Sequence, residues 1–228
     1  MIEEHKNGIF EMPSKDTVLW RYMSLEKFII LLKQKSLYFC CINCFEDKNE
    51  GVLPTIDIAM FKTIGFNEKD WDKIRNGTFI NCWIESPYEL ALMWESYGKG
   101  GVAIQSTVDR ICRSMKHDKR TVYMGRVKYL IPEDVSTQIA GEPINYMKAS
   151  MAKRKYYTQE QEVRLLYHDE ENYKEKNGVL FEVDLPMLIE KVVINPKAPS
   201  SFKDTIKEMS RCWSLDIPVE SSEIIINQ

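Results

Sequence analysis

The chain has 228 residues, 44% of them hydrophobic and 29% charged, with a formal net charge of −3. That composition suits one soluble globular domain able to bury a sizeable core, and the negative balance excludes a general basic footprint for nucleic acid while leaving room for a local patch. No apolar run approaches the roughly 20 residues that cross a bilayer, and the polar start MIEEHKNGIFEMPSKD has no apolar signal core, so no membrane partner and a cytoplasmic location are expected.

In chain order, residues 1–16 read as an irregular lead-in to a single domain over 1–228. TVLWRYM (Thr17–Met23) is a short β-run. Ser24 offers an N-cap, and in LEKFIILLKQK the residues Leu25, Phe28, Ile29 and Leu32 share one helical face. SLYFCCI (Ser36–Ile42) predicts a strand, and NCFEDKNEG (Asn43–Gly51) a polar loop closed by glycine. TIDIAMFKTIG (Thr55–Gly65) and EKDWDKIRNG, behind an Asn67 cap, predict helices, and TFINCWI (Thr78–Ile84) a strand. SPYELALMWESYG opens on Ser-Pro and ends at Gly98, which predicts a helix. Its LALMW run places Trp94 in the core.

GVAIQS (Gly101–Ser106) predicts a strand, TVDRICRSMK a short helix behind Thr107, and YMGRVKYL (Tyr123–Leu130) another strand. EPINYMKASMAKRKYYTQ (Glu142–Gln159) predicts one helix. EVRLLY (Glu162–Tyr167), GVLFEVD (Gly178–Asp184) and IEKVVINP (Ile189–Pro196) predict strands, SSFKDTIKEMSRCW a capped helix, and IPVESSEII a last strand. Short strands mixed with helices, without regular βαβ units, predict an α+β fold with a mixed, mainly antiparallel sheet core and flanking helices.

Six cysteines are present, and a cytosolic chain keeps them reduced. Cys41 and Cys44 form a CxxC pair, but no second pair or nearby histidine completes a zinc site, so no metal is expected. His5, His117 and His168 are scattered. The pattern that asks for an explanation is Glu160-x-Glu162-x-Arg164. If it is extended, the three charges share one face of a strand and Val163 and Leu165 share the other. They then form a solvent-facing, salt-bridged face or a ligand site. If it is helical, Glu160 and Arg164 are an i,i+4 pair.

Several stretches resemble the bacterial family known as domain of unknown function 2971, over roughly Leu19 to Glu223. The carriers are LWRYMSLEKFIILLKQKSLYFC, the loop INCFEDKNEG, then NCWIESPYELALMWESYGKGGVAIQ and KYYTQEQEVRLLY. Glu46 and Lys48 replace the family's Asn and Pro, Tyr157 its Trp, and Trp83-Ile84-Glu85 its Phe-Ser pair. The layout also resembles the ADP-ribosyltransferase superfold, in which an early strand bears Arg or His and a Glu-x-Glu strand closes the site. That resemblance implies an ADP-ribosyltransferase-like protein that binds NAD or a related nucleotide and transfers ADP-ribose or cleaves the nicotinamide–ribose bond. A protein or nucleic acid would be the macromolecular acceptor.

On that layout Arg21, Glu160 and Glu162 are the catalytic candidates and converge on one pocket. Arg21 placed across the sheet from Glu162 would remove the transfer reading. Glu162, in a wet cleft, would bond the ribose hydroxyl and stabilise its developing positive charge, with little effect on folding. Glu160 would orient or deprotonate the acceptor. Arg21 suits a pyrophosphate, Tyr97, Tyr156 or Tyr157 a stacked nicotinamide, and Tyr22 and Arg164 complete the nucleotide-binding set. Two other classes stay open. Asp47 with Glu162-x-Arg164 loosely matches a metal-dependent nuclease, and a polar cleft without chemistry would make the chain a nucleotide- or protein-binding module.

Overall fold

The computed structural model describes residues 2–3, 11–47, 50–51, 67–131, 146–169 and 176–225; the expected helix Thr55–Gly65 and His5 lie outside them. After β1 (Ile2–Glu3), β2 (Val18–Ser24) runs into α1 (Leu25–Gln34) at Ser24, whose Oγ accepts from Lys27 N at 3.4 Å. Phe28, Leu31 and Leu32 of α1 are buried. Lys35 turns the chain through the left-handed region, φ 47°, into β3 (Ser36–Cys41).

Next come α2 (Glu68–Asn76), started by a capping box of Asn67 and Asp70, and β4 (Thr78–Glu85). They are followed by α3 (Ala91–Ser96), β5 (Gly101–Thr107) and α4 (Val108–Ser114), with Thr107 capping α4. β6 (Val122–Arg126), β7 (Lys128–Leu130), α5 (Tyr146–Ser150) and β8 (Ala152–Arg154) lead to a 3₁₀ turn over Lys155–Glu160 and to β9 (Glu162–His168). β10 (Gly178–Glu182), α6 (Leu185–Leu188), β11 (Lys191–Ile194), α7 (Ser200–Cys212) and β12 (Val219–Ser221) complete the fold.

Three expectations change. The helix expected from Ser86 begins only at Ala91, because side chains of β2 hold the preceding backbone: Trp20 Nε1 donates to Ser86 O at 3.0 Å and Leu90 N donates to Tyr22 Oη at 2.7 Å. The strand expected over Tyr123–Leu130 is two strands in different sheets, since Val127 N turns to Glu162 O and Lys128 N to Met151 O. In the helix expected over Glu142–Gln159, the described part is α5, β8 and the 3₁₀ turn. β8 pairs with β7, and its side chains are pulled to carboxylates as described below.

The architecture is α+β, mixed and mainly antiparallel, as expected. Ten strands form one sheet in the order β1-β6-β9-β4-β2-β5-β11-β12, with β3 joined to β4 and β10 joined to β3. One edge of β4 serves two neighbours: β2 pairs with Ile84–Glu85 and β3 with Phe79–Ile80. The sheet therefore forks beside residues 81–83 of β4. The larger core lies on the sheet face that carries Leu19, Trp83, Ile104, Val163 and Leu165, covered by Phe28, Ile111, Leu188 and Ile206. The other face holds two smaller clusters, one around Trp94 and one around Met147, Met151 and Leu166. Among the described residues no helix is long and apolar enough to cross a membrane.

Trp94 sits in the first of these smaller clusters and is 2% exposed. Its ring meets Tyr22 edge-on at 5.0 Å, and its Nε1 donates to Glu89 Oε2 at 2.8 Å. Gly98 passes so close that a Cβ there would lie 2.4 Å from the indole. Trp94→Ala is expected to lower the unfolding free energy by about 3–5 kcal/mol in urea melts. An unchanged midpoint would remove Trp94 from the core.

Candidate active site

β9 is the strand on which the site is built. It lies between β4 and β6, with Glu162 opposite Ile84, Val163 opposite Trp83 and Arg164 opposite Cys82. Alternation sends Val163 and Leu165, both 0% exposed, into the larger core. Glu162 and Arg164 point to the other face. They do not meet solvent there: Glu162 is 5% exposed and Arg164 0%. The residues opposite Arg164 on its two flanking strands are Cys82 and Gly125, both small, which leaves space for the guanidinium.

A buried cation requires partners. Arg164 Nε donates to Glu162 Oε2 at 2.7 Å and Nη1 to Ser150 O at 2.7 Å, while Nη2 is bonded to Glu50 Oε2. Phe45 lies against it, 5.7 Å from ring centre to guanidinium carbon. Lys153 is the second buried cation. Its Nζ donates to Glu162 Oε1 at 2.7 Å and to Glu160 Oε2 at 2.6 Å, and lies 3.5 Å from Glu50 Oε1. Glu162 N donates to Tyr129 Oη at 2.8 Å. Tyr97 Oη, on a half-exposed side chain, donates to Glu160 Oε1 at 3.4 Å.

The chain reaches this geometry by a sharp turn. Glu160 closes the 3₁₀ turn and Gln161 takes a left-handed conformation, φ 41°. This is uncommon for a residue with a Cβ. Glu160 is thus not part of the strand, yet its carboxylate meets Lys153 beside that of Glu162.

The two carboxylates are pushed apart. Burial, reinforced by the hydrogen bond and charge of Glu162, raises Glu160 to about 7 against the attraction of Lys153. Burial alone would raise Glu162 too, but the charge of Arg164, the hydrogen bond from Glu160 and the ammonium of Lys153 hold it well below the usual carboxylate range. Burial, then the charge of Glu160, pushes the Tyr97 phenol up.

The structure gathers Glu160, Glu162, Arg164 and Tyr97 on one face, with Tyr157 under Lys153 at 4.8 Å from ring centre to Nζ. Tyr22 shares that face but is 7% exposed and packed on Trp94. Arg21 is not part of the group. Trp20 lies opposite Ile84, and Ile84 lies opposite Glu162, so these three share a face and Arg21 points to the other. Its Nη1 donates to Cys82 O at 3.0 Å, satisfying a carbonyl of β4 beside the fork, and its guanidinium lies 6.0 Å from the Trp83 ring centre. The expected convergence of Arg21 with the two glutamates is therefore corrected.

The solvent-facing reading of the triad is corrected as well, since all three charges are buried. Asp47 is held by Arg154, whose Nε lies 3.0 Å from Oδ2, so both carboxylates of the nuclease reading are taken by cations. Among the described residues no group of three or more His, Cys, Asp or Glu side chains is placed to hold a metal ion. Lys153, Glu50 and Tyr129 were not singled out in the sequence. The one available signal was that buried carboxylates need cations, and Lys153 sits in a stretch that reads as helix.

No family model matches the chain, so the resemblance to domain of unknown function 2971 gains no support from that comparison. No curated protein matches it either. Among solved structures, the chain is similar to Thermus sp. 2.9 DarT in complex with NAD+, at 10% identity and a TM-score of 0.43, over 92% of this chain and 97% of that one. It is similar to the same protein in complex with ADP-ribosylated ssDNA at 8% identity and a TM-score of 0.43, over 94% and 97%. At that level of likeness the fold class rests on this chain's own strands and helices.

Both glutamates should report their surroundings in stability. Glu162→Gln strips a counter-charge from two buried cations and is expected to destabilise the fold by about 3–5 kcal/mol at neutral pH, instead of leaving it unchanged as a wet-cleft carboxylate would. The wild-type contribution of Glu162 is full above the ordinary carboxylate value and is lost progressively as pH falls from there through its depressed folded value. Glu160 behaves oppositely. Its carboxyl keeps its proton in the fold up to about 7, against 4.5 as a free side chain, so its contribution is full below the lower value and declines as pH rises through the upper one. Relative to wild type, Glu160→Gln should therefore gain melting temperature between about pH 5 and about pH 8. Parallel melting curves across that range would contradict the assignment.

Proposed function

We propose that this chain is an ADP-ribosyltransferase-like protein that binds an NAD-type nucleotide on the Glu162 face of the sheet and cleaves its nicotinamide–ribose bond, with Glu160 as the acid–base group. The observation that carries the reading is the carboxylate pair. One buried glutamate is kept ionised by two cations, and its neighbour exchanges its proton near neutrality. Environments that separate two carboxylates in this way divide acid and base roles between them.

Loss of nicotinamide builds positive charge on the ribose. Ionised Glu160 offsets that charge and accepts the proton of an attacking water. Glu162, with each oxygen already bonded to a cation, serves as a fixed counter-charge behind Glu160. Tyr97 and Tyr156, 50% and 80% exposed, offer ring faces for stacking, whereas the Tyr157 ring is taken by Lys153 and Arg154. Arg21 has no part, and the mechanism that used it to clamp a pyrophosphate is dropped together with transfer to an acceptor.

A second reading is favoured by one observation: Glu160 and Glu162 are 8% and 5% exposed, which suits a binding module whose charged cluster is structural. Nicotinamide release from NAD separates the two. Release should rise as pH increases through about 7, and Glu160→Gln should lower it roughly 10²–10⁴-fold. PH-independent release, or release unaffected by Glu160→Gln, would remove Glu160 from the chemistry. Absence of release, with a melting temperature raised by NAD, would leave the binding module.

A further inference from the structure

Lys153 has a place in this site that no comparison assigns. It is 8% exposed, on a strand of only three residues, and its ammonium makes its two shortest contacts to the two carboxylates at 2.6 and 2.7 Å. An ammonium is a compact point charge with three donors and can bridge acceptors that approach from different directions. Here they come from the end of a 3₁₀ turn and the start of a strand. We propose that Lys153 is the positioning residue of the site: it fixes Glu160 against Glu162 and favours the ionised form of Glu160, the member of the pair that exchanges its proton.

The asymmetry follows from the rest of the cluster. Glu162 has Arg164 on its second oxygen, and Arg164 has Glu50 as a further anion. On the second oxygen of Glu160 the described residues place the Tyr97 hydroxyl, at 3.4 Å. With one cation on Glu160 and two on Glu162, the proton resides on Glu160 when the pair holds one. Two further groups face the cluster, the Tyr129 phenol beside Glu162 and the Cys82 thiol opposite Arg164. Burial is the first cause that raises both, so they stay neutral where Glu160 titrates. With Glu160 protonated, Glu50 and Glu162 balance Lys153 and Arg164. With Glu160 ionised, the cluster carries one net negative charge, on the side chain that reaches Tyr97.

The proposal deepens the functional reading above, yet its test needs no ligand, so each can fail alone. Protein carrying ¹³C-labelled glutamate carboxyls is titrated by NMR, with the Glu160 signal identified by its loss in Glu160→Gln. The wild-type Glu160 midpoint is expected near neutrality. Lys153→Met should move it up by more than about one pH unit, because the cation that favours the ionised form is gone, and Lys153→Arg should restore most of the shift. An unchanged midpoint in folded Lys153→Met overturns the proposal. If that variant does not fold, the double variant Lys153→Met with Glu162→Gln, which removes one charge of each sign, carries the test. The Glu162→Gln single variant, in which Lys153 is present, should then titrate more than about one unit below the double variant. Equal midpoints overturn the proposal.

Discussion

A guanidinium with no exposed surface, on an interior strand of a ten-stranded sheet, is the constraint on which the candidate site depends. Desolvating Arg164 is tolerable only because each arm of its fork meets an acceptor. Those acceptors come from separate parts of the chain: Glu162 from the same strand, Ser150 from the end of α5, and Glu50 from the segment after β3. One side chain thus ties the strand to two segments that pack on its face. Lys153 repeats the device one layer out. It returns charge to Glu162 and Glu50 and reaches Glu160.

The two faces of the sheet divide the work. The larger apolar core on one face supplies most of the burial that offsets chain entropy. The other face is split into two smaller apolar clusters, and strand β9 carries the charged cluster on it. A carboxylate held in such surroundings keeps a fixed position and a shifted proton affinity, both of which favour chemistry over stability. Glu160 stands at the edge of that cluster, its second oxygen turned to a half-exposed tyrosine, and differs from Glu162 in having one cation neighbour and not two.

Arg21 shows how a fork in a sheet uses charge. Where β2 and β3 share one edge of β4, the strand between their pairings lacks a continuous neighbour. Side chains fill the gap. Arg21 donates to the carbonyl of Cys82, and Asn81 Nδ2 donates to Tyr38 O at 2.8 Å while its Oδ1 accepts from Trp83 Nε1 at 2.8 Å. A buried carbonyl left without a donor costs about 1–3 kcal/mol, which is reason enough for an arginine and an asparagine at these positions.

The sequence by itself determined the local elements whose signals are local: the capped helix after Ser24, the Asn67 and Thr107 caps, the strands at Thr78, Gly101 and Glu162, the shared face of Val163 and Leu165, and the burial of Trp94. It also determined that Glu160, Glu162 and Arg164 are unusual, because three charges beside a run of β-formers need partners wherever they lie. Only the tertiary structure decided what those partners are. Arg21 lies two strands away from Glu162 across β4, and a side chain's face depends on pairing register, which Trp20, Ile84 and Glu162 reveal only once aligned. Lys153 was hidden in a helical pattern, since the pull of two buried carboxylates and pairing with β7 override a propensity worth tenths of a kilocalorie per residue. The difference between Glu160 and Glu162, alike in sequence, arises from one cation against two: Arg164 lies two residues from Glu162 on the same strand, whereas Lys153 reaches both carboxylates only because the chain folds back through the 3₁₀ turn over Lys155–Glu160.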